Sequence, residues 1–369
     1  MKLGIDITYM HHANILKFSG IGLFTCQVVN ELTKMNKYDI FVYTRPEVSE
    51  AAKQYLDECH IITLDYSAKI AYLKEVLLQN RALIEHVRQD NIDLLLSTKF
   101  NTYGGIPDDI PYIAVLHDLD FLCHNSIRNR LRDKWMKAKV EKIDCIITIS
   151  NFVKEELYRW APHAKGKTKV IYNPVVINSG EKDDCKNAYI LNVNTFKKEK
   201  NQITLLKAYN KIASEIIEDL ILVGTGDCLE ECKNYVKDKK LNQRVFFYQD
   251  LSQKELNNLM ENARIFVNTS RFEGFGRTPI EAAMHGIPVL TSKETSLGEV
   301  TQDLLEYYDP ADNVDELAKK IKLILNGTID YNQERVDRIS AIYNKDYAAP
   351  KIAKAYDELI TQVYGARKK

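Results

Sequence analysis

The chain has 369 residues, 45% of them hydrophobic, and its 51 lysines and arginines are balanced by 51 aspartates and glutamates. Domains of roughly 100–200 residues make two the expected number. The neutral balance removes any electrostatic basis for broad nucleic-acid binding, and no stretch approaches the ~20 apolar residues of a membrane span. Seven cysteines are scattered without metal-like pairing; Cys228 and Cys232 stand one helical turn apart with no histidine cluster. Residues 2–8 read as a strand with an acid inside it, not as a signal peptide. Free thiols in a reducing cytoplasm are expected.

After that first strand come Tyr9 to Asn14, a Ser19-Gly20-Ile21-Gly22 loop, and an apolar helix from Leu23 to Met35. Strand, glycine loop and helix together can cradle a phosphate or admit a substrate to the backbone. A plain turn reads equally well from these residues alone. Strands follow at 40–43 and 61–64, an amphipathic helix at 68–89, and strands at 94–97 and 113–116. The last of these runs into His117-Asp118 at its carboxyl end. Residues 127–142 form a helix with Arg128, Arg130, Arg132, Lys134, Lys137, Lys139 and Lys142 against Asp133 and Glu141. It reads as a solvated face or, alternatively, as a basic amphipathic helix touching anionic lipid headgroups. A strand at 145–150, a helix capped by Ser150 or Asn151, and a strand at 170–172 broken by Asn173-Pro174 complete a first domain, 1–173. The polar run 178–187 marks the division.

The second domain, 174–345, restarts with a strand at 189–194. The loop 195–201 then enters a helix from Gln202 to about Ser214. Leu220 to Gly226 is a strand ending in Gly224-Thr225-Gly226, and 244–248 is another, followed by a helix over 252–262. Ile265 to Thr269 reads as a buried parallel strand. It opens into Ser270-Arg271-Phe272-Glu273-Gly274-Phe275-Gly276-Arg277-Thr278-Pro279-Ile280-Glu281. Gly274 and Gly276 allow a sharp turn and a close approach to a ligand. Thr278, Pro279 and Glu281 fit the N-cap, first and third positions of a capping box. The amides of Arg277, Thr278 and Ile280 at that helix start suit an anion. Gly286 stops the helix, a strand follows at 287–291, and a loop with a short helix occupies 294–300. Helices at about 312–325 and 346–364 close the chain.

The Ser-x-x-Glu-Gly-Phe-Gly run, with Glu281 eight positions after Glu273, resembles the E-x7-E motif of retaining glycosyltransferases of family 4. That resemblance implies the GT-B fold: α/β, two Rossmann-like domains with parallel sheets facing a cleft, and a final helix, 346–369, packed back on the first domain. It implies transfer of a sugar from a UDP- or GDP-sugar, bound as substrate, to a glycan or lipid-linked acceptor. Glu273 would face the donor sugar and Glu281 the ribose, with Gly274, Phe275, Gly276, Arg277 and Thr278 along the donor. Lys200 matches the lysine that pairs with the diphosphate, and His117 the histidine beside the sugar. Gly20, Gly22 and Gly224 match glycines near the donor. The family often carries arginine where this chain has Thr195, and Lys197, Arg271 and Arg277 are the candidate replacements, Arg277 preferred. No metal or cofactor is expected, because these cations can meet the charge of a departing diphosphate. Bacterial surface polysaccharide or lipopolysaccharide synthesis in the cytoplasm, at the inner face of the membrane, suits such an enzyme. Two rivals share the architecture: a nucleotide-sugar epimerase and a noncatalytic nucleotide-sugar-binding subunit. Acceptor-dependent release of nucleoside diphosphate separates them from a transferase.

Overall fold

Short apolar runs alternating with amphipathic helices build two parallel sheets. The structure is a computed structural model that describes residues 1–64, 72–100, 105–119, 136–177 and 189–367. The chain divides into two units, Met1–Pro174 with Ala349–Lys369, and Val175–Ala348. Residues 128–135 of the basic run and the polar run 178–187 lie outside the described residues.

Unit 1 has strands β1 (Lys2–Asp6), β2 (Asp39–Thr44), β3 (His60–Thr63), β4 (Leu94–Ser97), β5 (Tyr112–Leu116), β6 (Cys145–Thr148) and β7 (Thr168–Val170). They pair in the order β3-β2-β1-β4-β5-β6-β7, every pairing parallel. Every residue of Leu-Leu-Leu-Ser in β4 and Tyr-Ile-Ala-Val-Leu in β5 is buried. Strands covered by helices on both faces require such continuous apolar runs. The helices are α1 (Ala13–Phe18), α2 (Gly20–Lys34), α3 (Pro46–Tyr55), α4 (Tyr72–Gln89), α5 (described over 136–142) and α6 (Asn151–Trp160).

Unit 2 has β8 (Tyr189–Val193), α7 (Gln202–Ile212), β9 (Asp219–Val223), α8 (Leu229–Asp238), β10 (Val245–Tyr248), α9 (Gln253–Asn262) and β11 (Ile265–Asn268). It continues with α10 (Arg277–Met284), β12 (Val289–Ser292), α11 (Leu297–Val300), β13 (Glu306–Tyr308), α12 (Val314–Leu325) and α13 (Gln333–Asp346). Its sheet order, β10-β9-β8-β11-β12-β13, repeats that of unit 1 up to the sixth strand. Leu205 and Tyr209 of α7, Leu220 and Leu222 of β9, Val267 of β11 and Ile321 of α12 form its core. The last helix, α14 (Ala349–Arg367), belongs to unit 1 and packs on α2. Lys37 and Tyr38 hold its Asp357, and Tyr364 donates to Asp93 at 2.9 Å.

Each sheet order reverses beside its first strand, between β1 and β4 and between β8 and β11. Open α/β sheets bind ligands in the crevice outside the strand carboxyl ends at such a switch point.

Several elements differ from the sequence expectation, in which α1, α3, α8 and β13 have no counterpart. The strand expected at 170–172 sits at 168–170, because its polar Thr168 and Lys169 form an edge. The helix α13 was not expected: its buried stripe is only Val336, Ile339 and Tyr343 on a polar surface. The closing helix starts at Ala349 rather than 346. Gly20 and Gly22 lie inside a helix, not in a loop, because Ser19 caps α2, its Oγ accepting from the Gly22 amide at 3.0 Å.

Candidate active site

At the switch point of unit 2, the ends of β8 and β11 carry polar residues where apolar strands stop. Beyond β11 the chain reaches Glu273, which the structure fixes at both ends. Its backbone N–H donates to Thr295 Oγ1 at 3.0 Å, and its carbonyl accepts from Ser296 Oγ at 2.8 Å. Its carboxylate Oε1 receives Lys200 Nζ at 2.8 Å and Ser270 Oγ at 2.7 Å. The two charged side chains are 16% and 13% exposed, for Lys200 and Glu273 respectively. The pair is therefore partly desolvated, which strengthens its attraction while it stays within reach of solvent.

Lys200 is held by the turn that precedes α7. Asn201 adopts a left-handed conformation (φ 57°) and is buried, its Nδ2 donating to Ala311 O at 3.0 Å. Thr269 Oγ1 donates to the Lys200 carbonyl at 2.9 Å, tying the turn to the end of β11. Arg271 is occupied elsewhere: its guanidinium meets Asp312 Oδ1 at 2.7 Å and Lys198 O at 3.1 Å. Thr195 is exposed, and Lys197 is exposed beside it.

The start of α10 corrects the capping-box expectation. Gly276 is the N-cap with φ 83°, so the helix begins at Arg277, Thr278 falls one residue inside, and no side chain caps it. Glu281 instead pairs with Arg277, Nε to Oε1 at 2.5 Å, with exposures of 20% and 13%. The amides left outside the intrahelical ladder are then those of 276–278, and that of Ile280 no longer counts. At φ 83° any side chain would be strained, so the backbone conformation favours glycine at 276; a Cβ there would also stand 2.5 Å from Leu297 Cδ2, which would have to move. Phe275 is buried and meets the Tyr347 ring edge-on at 5.6 Å, which makes its side chain an anchor of the loop rather than a donor contact. Gly224 has a packing duty as well: a Cβ there would lie 2.0 Å from Asn194 O, in the loop leading to Lys200.

At the switch point of unit 1 the chemistry is different. Asp6 is buried and accepts from Thr8 N at 2.9 Å, Thr8 Oγ1 at 2.7 Å and Ser97 Oγ at 3.1 Å. Burial nevertheless raises its pKa above the ordinary value, those three bonds lowering it only in part. His117, after β5, is 7% exposed, with Nε2 at 2.8 Å from Thr98 O and its ring edge-on to Phe24 at 4.9 Å. A ring nitrogen facing a carbonyl carries the hydrogen, so Nδ1 is the acceptor. Desolvation lowers the His117 pKa to about 4, so the imidazole is neutral at pH 7. Gly22 is in the same unit but serves the α1–α2 corner, where a Cβ would meet Ile15 O at 2.0 Å. Gly20 begins α2 with open space around it.

Sequence reasoning missed Ser270 and Asn194 as the residues behind Glu273. Their signal was present: amides and a hydroxyl close strands that are otherwise apolar. Among the described residues no group of three or more His, Cys, Asp or Glu could hold a metal ion, and no helix is long and apolar enough to cross a membrane.

Two family models cover most of the chain: Glycosyltransferase Family 4 over residues 18–179 and Glycosyl transferases group 1 over 178–343. The O-antigen chain mannosyltransferase RfbU of Salmonella typhimurium is 27% identical over 213 residues, 55% of this chain and 60% of that protein. An uncharacterized glycosyltransferase of Methanocaldococcus jannaschii is 26% identical over 83% of this chain and 85% of its own length. Among solved structures, a sucrose-phosphate synthase from Thermosynechococcus elongatus matches with a TM-score of 0.78 at 18% identity, covering 99% of this chain and 100% of that one. Anabaena HepE in complex with UDP-glucose matches with a TM-score of 0.74 at 17% identity, covering 98% and 100%. With two parallel-sheet units of the same strand order and both family models matched, the chain belongs to the glycosyltransferases of group 1 and family 4, built on the GT-B fold.

Proposed function

We propose that this enzyme moves a sugar, with retention at the anomeric carbon, from a UDP- or GDP-sugar to a glycan or lipid-linked acceptor of a bacterial surface polysaccharide. The observation that carries the reading is the Lys200–Glu273 pair standing beside the start of α10 at the switch point of unit 2. Similarity to the O-antigen mannosyltransferase RfbU and to the lipopolysaccharide 1,6-galactosyltransferase of Salmonella typhimurium supports the acceptor class.

In this reaction the bond from the anomeric carbon to the phosphate oxygen breaks, and its electron pair leaves with the diphosphate. The acceptor oxygen bonds the same face, and its proton passes to the departing phosphate oxygen. Lys200 Nζ has three donors; Glu273 Oε1 and the Phe272 carbonyl at 3.4 Å use two, and the third serves a phosphate oxygen. Arg277 is the second cation, in place of the arginine absent at Thr195, and the amides of 276–278 add the helix dipole. These groups stabilise charge that grows in the transition state, without a metal. Glu273 accepts from sugar hydroxyls and Glu281 from the ribose. Neutral His117 offers Nδ1 as an acceptor to a further sugar hydroxyl.

Contact with anionic lipid rests on the charge of 128–142 alone. Lys137 lies over the Trp160 ring at 5.8 Å, Lys142 meets Asp108 at 3.0 Å, and desolvation lowers the Lys139 pKa to about 7, so vesicle binding would fall to Arg128, Arg130, Arg132 and Lys134. The test of the main reading is a thermal-shift screen of UDP- and GDP-sugars followed by release of nucleoside diphosphate with and without acceptor. Release that requires acceptor supports it. Conversion of the sugar without acceptor overturns it.

A further inference from the structure

We propose that Ser270 is a positioning residue: it fixes Glu273 so that Oε2 faces the donor sugar, and Asn194 in turn orients Ser270. The proposal rests on the assignment of Glu273 to the sugar. Ser270 is fully buried, so it cannot touch a ligand itself. Its single hydroxyl hydrogen has two acceptors in reach, Glu273 Oε1 at 2.7 Å and Asn268 Oδ1 at 3.1 Å. The shorter, charge-assisted bond wins.

Counting the neighbours settles the remaining directions. The two hydrogens of Asn194 Nδ2 go to Ser270 Oγ at 3.3 Å and Asn268 Oδ1 at 3.4 Å. Asn194 Oδ1 accepts from Thr195 N at 3.0 Å, and Asn268 Nδ2 donates to Thr291 Oγ1 at 3.1 Å. The Ser270 carbonyl accepts from Ser292 Oγ at 2.5 Å. Three strand ends, β8, β11 and β12, are thereby joined behind one carboxylate. Oε1 is filled by Ser270 and Lys200, while Oε2 has no protein partner among the described residues. A lysine alone, on a flexible stem, would leave the carboxylate free to rotate about its last torsion. The serine removes that freedom, so Oε2 points one way before the sugar arrives.

The consequence is selective. Loss of the Ser270 hydroxyl should weaken the grip on the sugar and leave the grip on the nucleotide untouched. The experiment is titration calorimetry on the full chain with UDP-glucose against UDP, and GDP-mannose against GDP. It compares wild type, Ser270→Ala, Asn194→Ala and Glu273→Ala, with melting curves to show that each folds. For whichever pair binds wild type, Ser270→Ala should bind the nucleotide-sugar about tenfold more weakly and the nucleoside diphosphate within about twofold of wild type. Asn194→Ala should follow in the same direction with a smaller loss, and Ser270→Thr, which keeps the hydroxyl, should restore binding. Equal weakening of both ligands by Ser270→Ala would show a merely structural role and overturn the proposal. So would unchanged binding of both. The Glu273→Ala arm separates the levels. If it loses the sugar contribution while Ser270→Ala does not, only the positioning role falls; if it loses nothing, the assignment of Glu273 falls and this proposal with it.

Discussion

The two units share a strand order and a switch point, yet they equip those points in opposite ways. Unit 2 places ion pairs there, Lys200 with Glu273 and Arg277 with Glu281, each between 13% and 20% exposed. Unit 1 has no such ion pair among the groups described there: Asp6 is buried against the hydroxyls of Thr8 and Ser97, neutral His117 stands against Thr98, and half-buried Tyr9 meets the Thr98 hydroxyl at 3.0 Å. One scaffold thus supports two chemistries. Charge near solvent suits a diphosphate whose negative charge grows during reaction, whereas a desolvated neutral imidazole suits the hydroxyls of a sugar. The difference lies in loop residues and not in the sheets, as expected when function is grafted on a shared fold.

The contrast can be broken most forcefully on the charged side. Glu273→Ala should lower kcat for transfer by roughly 10²–10³-fold, the scale of a lost preorganised electrostatic contact. A variant within threefold of wild type would remove Glu273 from the site. Lys200→Ala should cost about 10²-fold in kcat. It should also lower stability by about 1–3 kcal/mol, less than the ~3–5 of a fully buried pair broken on one side, because this pair keeps some solvent. Denaturant titration reads that second effect. Arg277→Ala should raise the KM for donor about tenfold with a smaller change in kcat, if Arg277 chiefly holds the ground-state diphosphate.

The neutral side sharpens the contrast by pH. His117 has a folded pKa of about 4 against an ordinary 6.5. Between those values the unfolded chain binds the proton and the folded one does not, so stability rises with pH across that window. The contribution is complete above about pH 6.5 and is lost as pH falls through about 4. The melting temperature of wild type should therefore fall more steeply than that of His117→Asn over this range. Nitrogen shifts of the ring should show hydrogen on Nε2 at pH 7, with no titration near 6.5. A normal titration there would erase the difference between the units.

Much of this was legible in the chain, and the limits have physical causes. The buried runs of β4, β5 and β11 declare themselves, because a parallel strand covered on both faces has to be apolar throughout. Glu273 and Lys200 could be singled out by the loops they occupy, and the structure brings them together at 2.8 Å. The clasp behind Glu273 could not be read. Asn194 and Ser270 are 76 positions apart, and their contact exists only once β8 and β11 pair. Thr278 misled because local pattern favoured a threonine cap, while the left-handed Gly276 starts the helix two residues sooner. The neutrality of His117 was equally hidden, since its burial depends on Phe24 of α2, whose ring is also backed by Tyr356 of α14 at 6.2 Å.

That return of α14 to the first unit sets a timetable for the nascent chain. The side of α2 that Tyr356 covers has no partner until the whole of 175–348 has left the ribosome. At about 5–20 residues per second that wait is roughly 10–35 s. Unit 2, contiguous in the chain, is complete before the residues that finish unit 1 are made. A fragment cut after residue 174 should therefore be a poor folder, while one spanning 175–348 holds all the strands of its own sheet.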